Sequence, residues 1–174
     1  IGEVTNEAAR ETGLLAGTPV ICGGGDGSCA GVGVGCVAPG SAYNYLGSSS
    51  WVALTVEKPI VDEQRRTMNW AHVVPGMLHP SGTMQAAGSS YNWMINQLCQ
   101  NEQALAAQSG RSVFELIDEQ IIASPIGANK LLFLPYMLGE RTPRWNVDAK
   151  GAFIGLTLGH THRDMLRAVM EGIT

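Results

Sequence analysis

The residue with the clearest catalytic chemistry is an aspartate set among glycines, in the stretch "GGGDG" at 23–27. The Asp26 carboxylate could orient a hydroxyl group and accept its proton. The flanking glycines permit special backbone dihedral angles and let a ligand come close. An aspartate between a strand and a helix is also typical of a helix N-cap. Spacing alone favours the N-cap and leaves the catalytic role open.

Two glycine-containing segments further along the chain offer groups that bind phosphate. In "LGSSS", the backbone N–H groups at Gly47 and the hydroxyls of Ser48 and Ser49 could form a phosphate cradle, although an ordinary hairpin turn explains the same residues. In "AAGSSYN", Gly88 lies at a helix entrance, where N–H groups favour anions, but a glycine that admits a neighbouring element is an equal explanation. Neither a Walker A loop nor a Rossmann fingerprint is present.

The candidate metal ligands do not form a recognisable motif in the sequence. His160 and His162 are separated by one residue without an evident third ligand, so a solvated pair at a helix entrance is favoured over a metal site. The cysteines lack CxxC spacing, and most of them lie in apolar or glycine-rich surroundings that suit small buried thiols in a reducing compartment. We therefore predict no metal site, and we expect core or rim positions for Trp51, Trp70, Trp93 and Trp145.

The elements that must position Asp26 and the phosphate-binding candidates are predicted mainly as strands. Thr5 and Gly13 bracket a short helix, and "TPVICGG" has the pattern of a buried strand that ends at Asp26. "SAYNYLG" and "SWVALTV" predict one hairpin, and a second turns at Pro75 and Gly76. After Asp26 the glycines disfavour a helix by roughly 1 kcal/mol each, so a helix there requires close packing.

The second half of the chain predicts helices that alternate with short strands. Apolar stripes indicate helices around 85–99 and at the end of the chain, and Ser112 with Glu115 indicates a capping box. "KLLFLPYM" and "GAFIGL" predict strands, and the charged segment between them predicts an exposed loop. The residues expected to be buried in these helices are Ala87, Tyr91, Met94, Ile95, Leu98, Val113, Phe114, Ile117, Ile121, Met165, Leu166, Val169, Met170 and Ile173. The order of elements predicts a mixed α/β domain.

Composition narrows the classes of function. The 174 residues carry a net charge of -4 and 45% hydrophobic residues, which fits one compact domain and argues against a nucleic-acid partner. No signal peptide or long apolar run is found, so we expect a cytoplasmic protein that does not bind membrane. The final helix pattern is unfinished, and we expect a fragment cut at both ends.

The order of motifs resembles that of the FGGY carbohydrate kinases, and among them the xylulose kinases, over essentially the whole chain. The matching segments are "AGTPVICGGGD", "APGSAYNYLGSSS", "GTMQAAGSSYNW", "LLFLPYMLGERTPRWN" and "GAFIGLTLGHTHRDMLRAVME". In the last segment, Gly155 and Leu156, the seven-residue gap, Asp164, Met165, Ala168 and Glu171 agree with the family's second signature.

The resemblance implies a ribonuclease-H-like, actin-like ATPase fold and residues 1–174 as part of the C-terminal kinase domain, without the N-terminal sugar-binding domain. It implies a sugar and MgATP as ligands, and it is compatible with a homodimer. Asp26 matches the family's catalytic base and sugar contact. Gly47, Ser48 and Ser49 match the phosphate loop, and Gly88 and Asn92 match a further nucleotide contact. No Mg²⁺ ligand is assigned within the chain.

The resemblance also implies a reaction. We expect ATP-dependent phosphorylation of D-xylulose to D-xylulose 5-phosphate by the full-length enzyme, with the fragment alone inactive. Ribulose, gluconate or glycerol as substrate, or a non-catalytic nucleotide-binding or structural module, are the alternatives. The chain departs from the family at Gly27, where many members have Gln or Asn, and at Ser48, where threonine is commoner.

Overall fold

The computed structural model describes all 174 residues and contains eight strands. Several are short, and the longest belong to the middle of the chain. In chain order they are β1 (Gly2–Glu3), β2 (Pro19–Val20), β3 (Ala42–Leu46), β4 (Ser50–Leu54), β5 (Met68–Ala71), β6 (Leu78–Met84), β7 (Leu132–Leu134) and β8 (Ala152–Ile154).

Six α-helices and one short 3-10 helix complete the mixed α/β fold. Most of them follow the main sheet in the chain. They are α1 (Asn6–Thr12), α2 (Asp26–Gly33), α3 (Gly88–Leu98), α4 (Gln100–Ser109), α5 (Val113–Ile122), the 3-10 helix Ala128–Lys130 and α6 (His162–Ile173). None of these helices is both long enough and apolar enough to cross a bilayer.

The main sheet confirms both predicted hairpins. Its four strands are antiparallel in the order β3-β4-β6-β5, and Tyr45 pairs with Trp51 across the first hairpin. The second hairpin turns through Gly76, whose φ of 78° suits a residue without a Cβ atom. The pairing of β4 with β6 places the turn at 47–49 beside the start of α3, because β6 leads directly into that helix.

The hydrophobic core lies in the second half of the chain. It joins α3, α5 and α6 to the antiparallel pair β7 and β8. Met94, Ile117, Leu166 and Val169 are fully buried, which confirms four of the predicted inward positions. Helix α4 was not predicted from the sequence; its amphipathic pattern is weak and only Glu102 is buried within it.

In the first 25 residues, the structure confirms the predicted helix but not the predicted buried strand. Helix α1 begins after the N-cap Thr5 and ends at Gly13 in the left-handed conformation, as expected. The predicted buried strand is wrong, because β2 covers only Pro19–Val20, pairs with β1 alone and is exposed, with Ile21 81% accessible. The pair does not pack extensively against another element of the chain, and Val20 is 40% accessible.

Helix α2 forms despite its glycines because one of them is tightly packed. A Cβ atom at Gly31 would lie 3.3 Å from both the Tyr43 and the His79 rings. The side chains of the sheet therefore approach the helix backbone more closely than they usually approach a Cβ atom. This is the close packing that the sequence required for a helix at this position.

Two further expectations need correction. Ser112 caps α5 by accepting a hydrogen bond from the Phe114 amide, and the predicted capping box with Glu115 does not form. Phe114 was expected to be buried but is 54% exposed, and Leu116 is buried instead. The charged loop before β8 is not simply exposed, since Glu140 and Thr142 are buried. Thr142 accepts from the Thr83 amide and donates to the Thr83 carbonyl, which attaches the loop to β6.

The start of α6 is organised around the buried carboxylate of Asp164. Its Oδ2 atom accepts from the Thr161 amide at 2.7 Å and completes a capping box. Its Oδ1 atom accepts from Ser124 at 2.7 Å and from Asn129 at 2.9 Å. The Ser124 hydrogen bond, followed by the Thr161 amide, lowers the pKa of Asp164 to about 2. Asp164 therefore joins α6 to the ends of α5 and the 3-10 helix.

Candidate active site

Asp26 is the first residue of α2 and is not its N-cap. The N-cap position belongs to Gly25, which has no side chain to cap the helix. The N-cap role that spacing favoured for Asp26 is therefore wrong. The Asp26 Oδ1 atom accepts from the Gly27 amide at 2.9 Å, and the residue is exposed. A carboxylate held at the first turn of a helix and open to the surface is available as a proton acceptor.

Asp26 lies in a pocket of about 460 Å³ between the start of α2 and the main sheet. Ser49 of the predicted phosphate loop lines the same pocket, so the structure brings two of the candidate residues together. Arg141 also reaches the pocket and has no carboxylate partner. An unpaired guanidinium is suited to phosphate oxygens. The pocket thus combines a proton acceptor with anion-binding groups.

The first turn of α2 is fixed to the main sheet by hydroxyl groups. Ser28 donates to the Ala71 carbonyl of β5 at 2.7 Å. Tyr43 donates to the Gly27 carbonyl at 2.6 Å and accepts from the Trp51 indole N–H at 3.0 Å. These hydrogen bonds hold the backbone beside Asp26, and they link residues that are distant in sequence.

His79 lines the pocket beneath this network. Its Nε2 atom lies 3.2 Å from the Tyr43 hydroxyl, which already donates to Gly27, so His79 donates from Nε2 in the neutral form. The Nδ1 atom is buried without a partner. Burial lowers the pKa of His79, and the nearby His72 lowers it further. The ring is therefore a neutral part of the pocket wall near pH 7.

The predicted phosphate loop packs directly on the start of α3. The Gly88 amide donates to the Gly47 carbonyl at 2.9 Å, and the Ser89 amide donates to the Ser48 carbonyl at 3.0 Å. A Cβ atom at Gly88 would lie 2.5 Å from the Gly47 oxygen, so this contact requires glycine. The structure therefore brings Gly47, Ser48 and Gly88 together, and the Gly88 amide is already used within the chain.

Two amide groups of the loop remain available for a ligand. The N–H groups of Ser48 and Ser49 donate to no acceptor in the chain, whereas the Gly47 amide closes the turn on the Ser49 carbonyl at 2.8 Å. Successive unpaired N–H groups in a turn form an anion-binding concavity. Asn92 is exposed about one turn beyond Gly88 on α3 and does not line the Asp26 pocket.

The glycines around Asp26 have different structural reasons. A side chain at Gly24 would collide with Val73, so that glycine is required by close packing. At Gly27 a Cβ atom would lie 3.9 Å from the Trp51 ring, an ordinary contact distance. A Cβ atom is therefore tolerated at position 27, and close backbone packing does not explain the glycine there.

Several pocket residues were not identified from the sequence. They include Trp51, His79, Thr83, Gln85 and Arg141. Trp51 and Trp70 were expected only as core or rim residues, and both line this pocket. Their sequence positions carry no motif, because antiparallel pairing of β4, β5 and β6 brings them together. Alternation along β6 was the one available signal, since Ser81 and Thr83 face the same side.

An arginine-lined cleft and the four cysteines lie outside the Asp26 pocket. The cleft, of about 850 Å³, is lined by Arg65, Arg66, Arg144 and Trp145 among others, and no carboxylate lines it. Of the cysteines, Cys36 and Cys99 are buried as expected, but Cys22 and Cys29 are exposed. Burial raises the pKa of Cys99 to about 11, so this thiol is not a nucleophile at neutral pH. Of these two cavities, only the Asp26 pocket is lined by a carboxylate.

The fold and the pocket define a mixed α/β domain that presents a carboxylate and an anion-binding turn at one edge of a sheet. Residues 42–174 match the model of the FGGY family of carbohydrate kinases, C-terminal domain. The chain therefore belongs to the FGGY family of carbohydrate kinases, and its fold is the actin-like ATPase fold of that family.

Individual relatives agree with the family assignment. The chain is 39% identical to a xylulose kinase of Staphylococcus epidermidis, over 100% of this chain and 33% of the relative, and 30% identical to a gluconokinase of Bacillus subtilis, over 96% and 32%. It superimposes on the crystal structure of xylulose kinase from Rhodospirillum rubrum with a TM-score of 0.78 and 34% identity, over 99% of this chain and 33% of that one. The chain spans about a third of the length of these relatives.

Proposed function

We propose that this chain is part of the C-terminal domain of an ATP-dependent sugar kinase that converts D-xylulose to D-xylulose 5-phosphate. The observation that carries the proposal is the Asp26 pocket, where a carboxylate, the Ser49 turn and an unpaired Arg141 meet. The similarity to xylulose kinases over the whole chain supports the choice of sugar. The cytoplasm is the proposed location, and a homodimer of the intact protein stays a prediction.

Asp26 is proposed as the general base. Its carboxylate accepts the proton of the sugar hydroxyl while that oxygen forms a bond to the γ-phosphorus of ATP, and the bond from phosphorus to the ADP oxygen breaks. Phosphoryl transfer depends mainly on positioning and on stabilisation of charge. The hydrogen bonds of Tyr43 and Ser28 support this role, because they hold the helix turn that carries the carboxylate.

The nucleotide is proposed to lie along the loop and the start of α3. The free amides of Ser48 and Ser49 would donate to phosphate oxygens, with Gly47 and Gly88 shaping the turn and Asn92 further along α3. Arg141 would balance the charge that develops during transfer. Mg²⁺ is expected to accompany ATP, but Asp26 is the only acidic residue lining the pocket, so no Mg²⁺ ligand is assigned in this chain.

The test is the substitution Asp26→Asn in the full-length protein that carries this chain. We expect kcat to fall by about 10²-fold to 10⁴-fold, because loss of a general base has this effect, while the unfolding temperature stays close to that of the unmodified protein. Asp148→Asn, at an exposed aspartate outside the pocket, is the matched control. Near-normal turnover by the Asp26 variant would refute its role as the base.

The alternative substrate is gluconate, which the 30% identity to a gluconokinase favours. The two candidates are distinguished by kcat/KM of the full-length protein on D-xylulose, gluconate, ribulose and glycerol. We expect the highest value for D-xylulose. A higher value for gluconate would keep the kinase reaction and replace the substrate.

A further inference from the structure

A cluster of three metal-ligating side chains lies at the junction of α3, α4 and α6, apart from the Asp26 pocket. It consists of Cys99, between α3 and α4, Glu102 in the first turn of α4, and His162, the first residue of α6. One ligand atom from each residue lies within 4.8 Å of the others. The sequence indicated no third ligand for the histidine, because the three residues meet only through packing of α3 on α6.

The Glu102 carboxylate lacks a partner that its burial requires. The residue is 9% exposed, and its Oε2 atom is buried without a hydrogen bond. Its Oε1 atom lies 3.8 Å from His162 Nδ1, which is beyond hydrogen-bonding distance. A buried charge without a close partner is unfavourable, so a cation between these groups would satisfy the carboxylate.

The histidine is oriented as a metal ligand. Its Nε2 atom lies 3.0 Å from the Leu98 carbonyl, which can only accept, so the ring donates from Nε2. In the neutral ring this leaves the Nδ1 lone pair directed at the cluster. Metal-binding histidines commonly donate their second nitrogen to a backbone carbonyl in this way, which fixes the tautomer.

We propose that Cys99, Glu102 and His162 bind a zinc ion, with water as the fourth ligand. Sulfur, nitrogen and carboxylate oxygen together favour zinc over magnesium or calcium. Tetrahedral zinc with bonds of about 2.0–2.3 Å holds its ligand atoms about 3.3–3.8 Å apart, so the cluster needs to close by about 1 Å. Cys99 binds as the thiolate and releases its proton to solvent. The ion joins α6 to the α3–α4 junction.

The site is tested in the full-length protein by titrating metal-free protein with Zn²⁺ against a chromophoric chelator. We expect one tightly bound equivalent and a higher unfolding temperature with zinc, because an ion that binds the folded state stabilises it. Co²⁺ should give the near-ultraviolet charge-transfer absorption of a thiolate ligand. Co²⁺ binding without that absorption would overturn the proposal, because Cys99 would not be a ligand.

The exposed ligand His162 provides the decisive variant, since its replacement leaves the core intact. His162→Gln should weaken zinc binding by at least about 100-fold and abolish the thermal shift, and Cys99→Ser should remove the charge-transfer absorption. His160→Gln and Cys22→Ser, outside the cluster, are controls that should bind zinc as the unmodified protein does. Equal zinc affinity in His162→Gln and His160→Gln, or no bound equivalent at all, would leave only a histidine–glutamate ion pair and refute the site.

Discussion

Gly88 shows how the absence of one side chain positions the proposed phosphate loop. The loop carbonyl of Gly47 occupies the place where a Cβ atom at residue 88 would lie, and the two backbones are joined by hydrogen bonds at 2.9 and 3.0 Å. From the sequence, close approach of a ligand and close approach of a neighbouring element were equal explanations. The structure shows close approach of a neighbouring element, namely the loop at Gly47. Phosphate binding by that loop is a proposal.

Gly88→Ala is therefore expected to displace the loop. The added methyl group would lie 2.5 Å from the Gly47 oxygen, and such overpacking costs about 1–3 kcal/mol of stability. We also expect a higher KM for ATP, with a smaller effect on KM for the sugar. Thermal unfolding and steady-state kinetics of the full-length protein measure both.

The control is Gly33→Ala, at a helical glycine with open space around it. Alanine there is expected to be neutral or to stabilise by about 0.5–1 kcal/mol, since it restricts the unfolded chain and favours helix. If Gly88→Ala behaved like Gly33→Ala, the contact between loop and helix would not position the loop.

At the residue scale, the sequence pointed to the candidate carboxylate and the glycine turn, but not to the other residues that line the same pocket. Asp26 and the glycine turn could be identified because their residue types are unusual for their positions. Arg141 and His79 could not, because they reach the pocket through a long loop and an antiparallel strand pairing. Packing does not explain the glycine at position 27, since a Cβ atom there would make only an ordinary contact with Trp51.

Helix α6 illustrates the element scale. The sequence predicted its inward stripe, and Leu166, Val169 and Ile173 are buried as expected. Its start depends on Asp164, whose two oxygens accept from four groups of Thr161, Ser124 and Asn129. An asparagine has only one acceptor oxygen and would direct its NH₂ group at other donors.

Asp164→Asn is expected to destabilise the protein by about 1–3 kcal/mol at neutral pH, because buried donors lose their acceptor. The carboxyl pKa falls from 3.8 to about 2 on folding, so its stabilising contribution is complete above about pH 4 and is lost as the pH falls through 2. The stability difference between the two proteins should therefore shrink across that range.

Denaturant unfolding at several pH values measures this difference, with Asp148→Asn as the control at an exposed site. A stability deficit of Asp164→Asn that stays constant from neutral pH to pH 2 would contradict the assigned role of the charge.

The sequence predicted helices and strands correctly where their ends are marked by local residues. It failed where contacts with distant residues determine whether an element forms or is buried. Thr5 and Gly13 marked the ends of α1 because caps act within a few residues. Helix α4 was missed because it contacts the core weakly, and Phe114 was assigned to the core although it packs beside Tyr91 at the surface. For β2, the apolar pattern indicated burial, but the strand pairs only with β1 and is exposed.

At the scale of the whole molecule, packing is unevenly distributed. The buried core cluster spans Ala87 to Ile173, whereas no residue before Ser28 is buried. Local opening requires less free energy where few apolar contacts and many exposed backbone hydrogen bonds are present. Stability should therefore differ between the two ends of the chain.

Hydrogen exchange of the 174-residue chain tests this difference. Amides of α1 and of the pair β1 and β2 should exchange fastest, and those of α3 and α6 slowest, because the latter face the core. The α5 amides, in the same chain and partly in the core, serve as the internal reference. Protection in α1 equal to that in α6 would show that the early residues share the cooperative unit.

The Tyr43 hydroxyl has a consequence for how the Asp26 carboxylate can move. It contacts the Gly27 carbonyl, the Trp51 indole and His79, which uses its single donor and both lone pairs. The first turn of α2 is thereby bound to three strands of the main sheet at one atom. Asp26 cannot advance toward a reactant by a local loop shift without breaking these bonds. Its approach to a substrate requires rigid-body rotation of helix and sheet together.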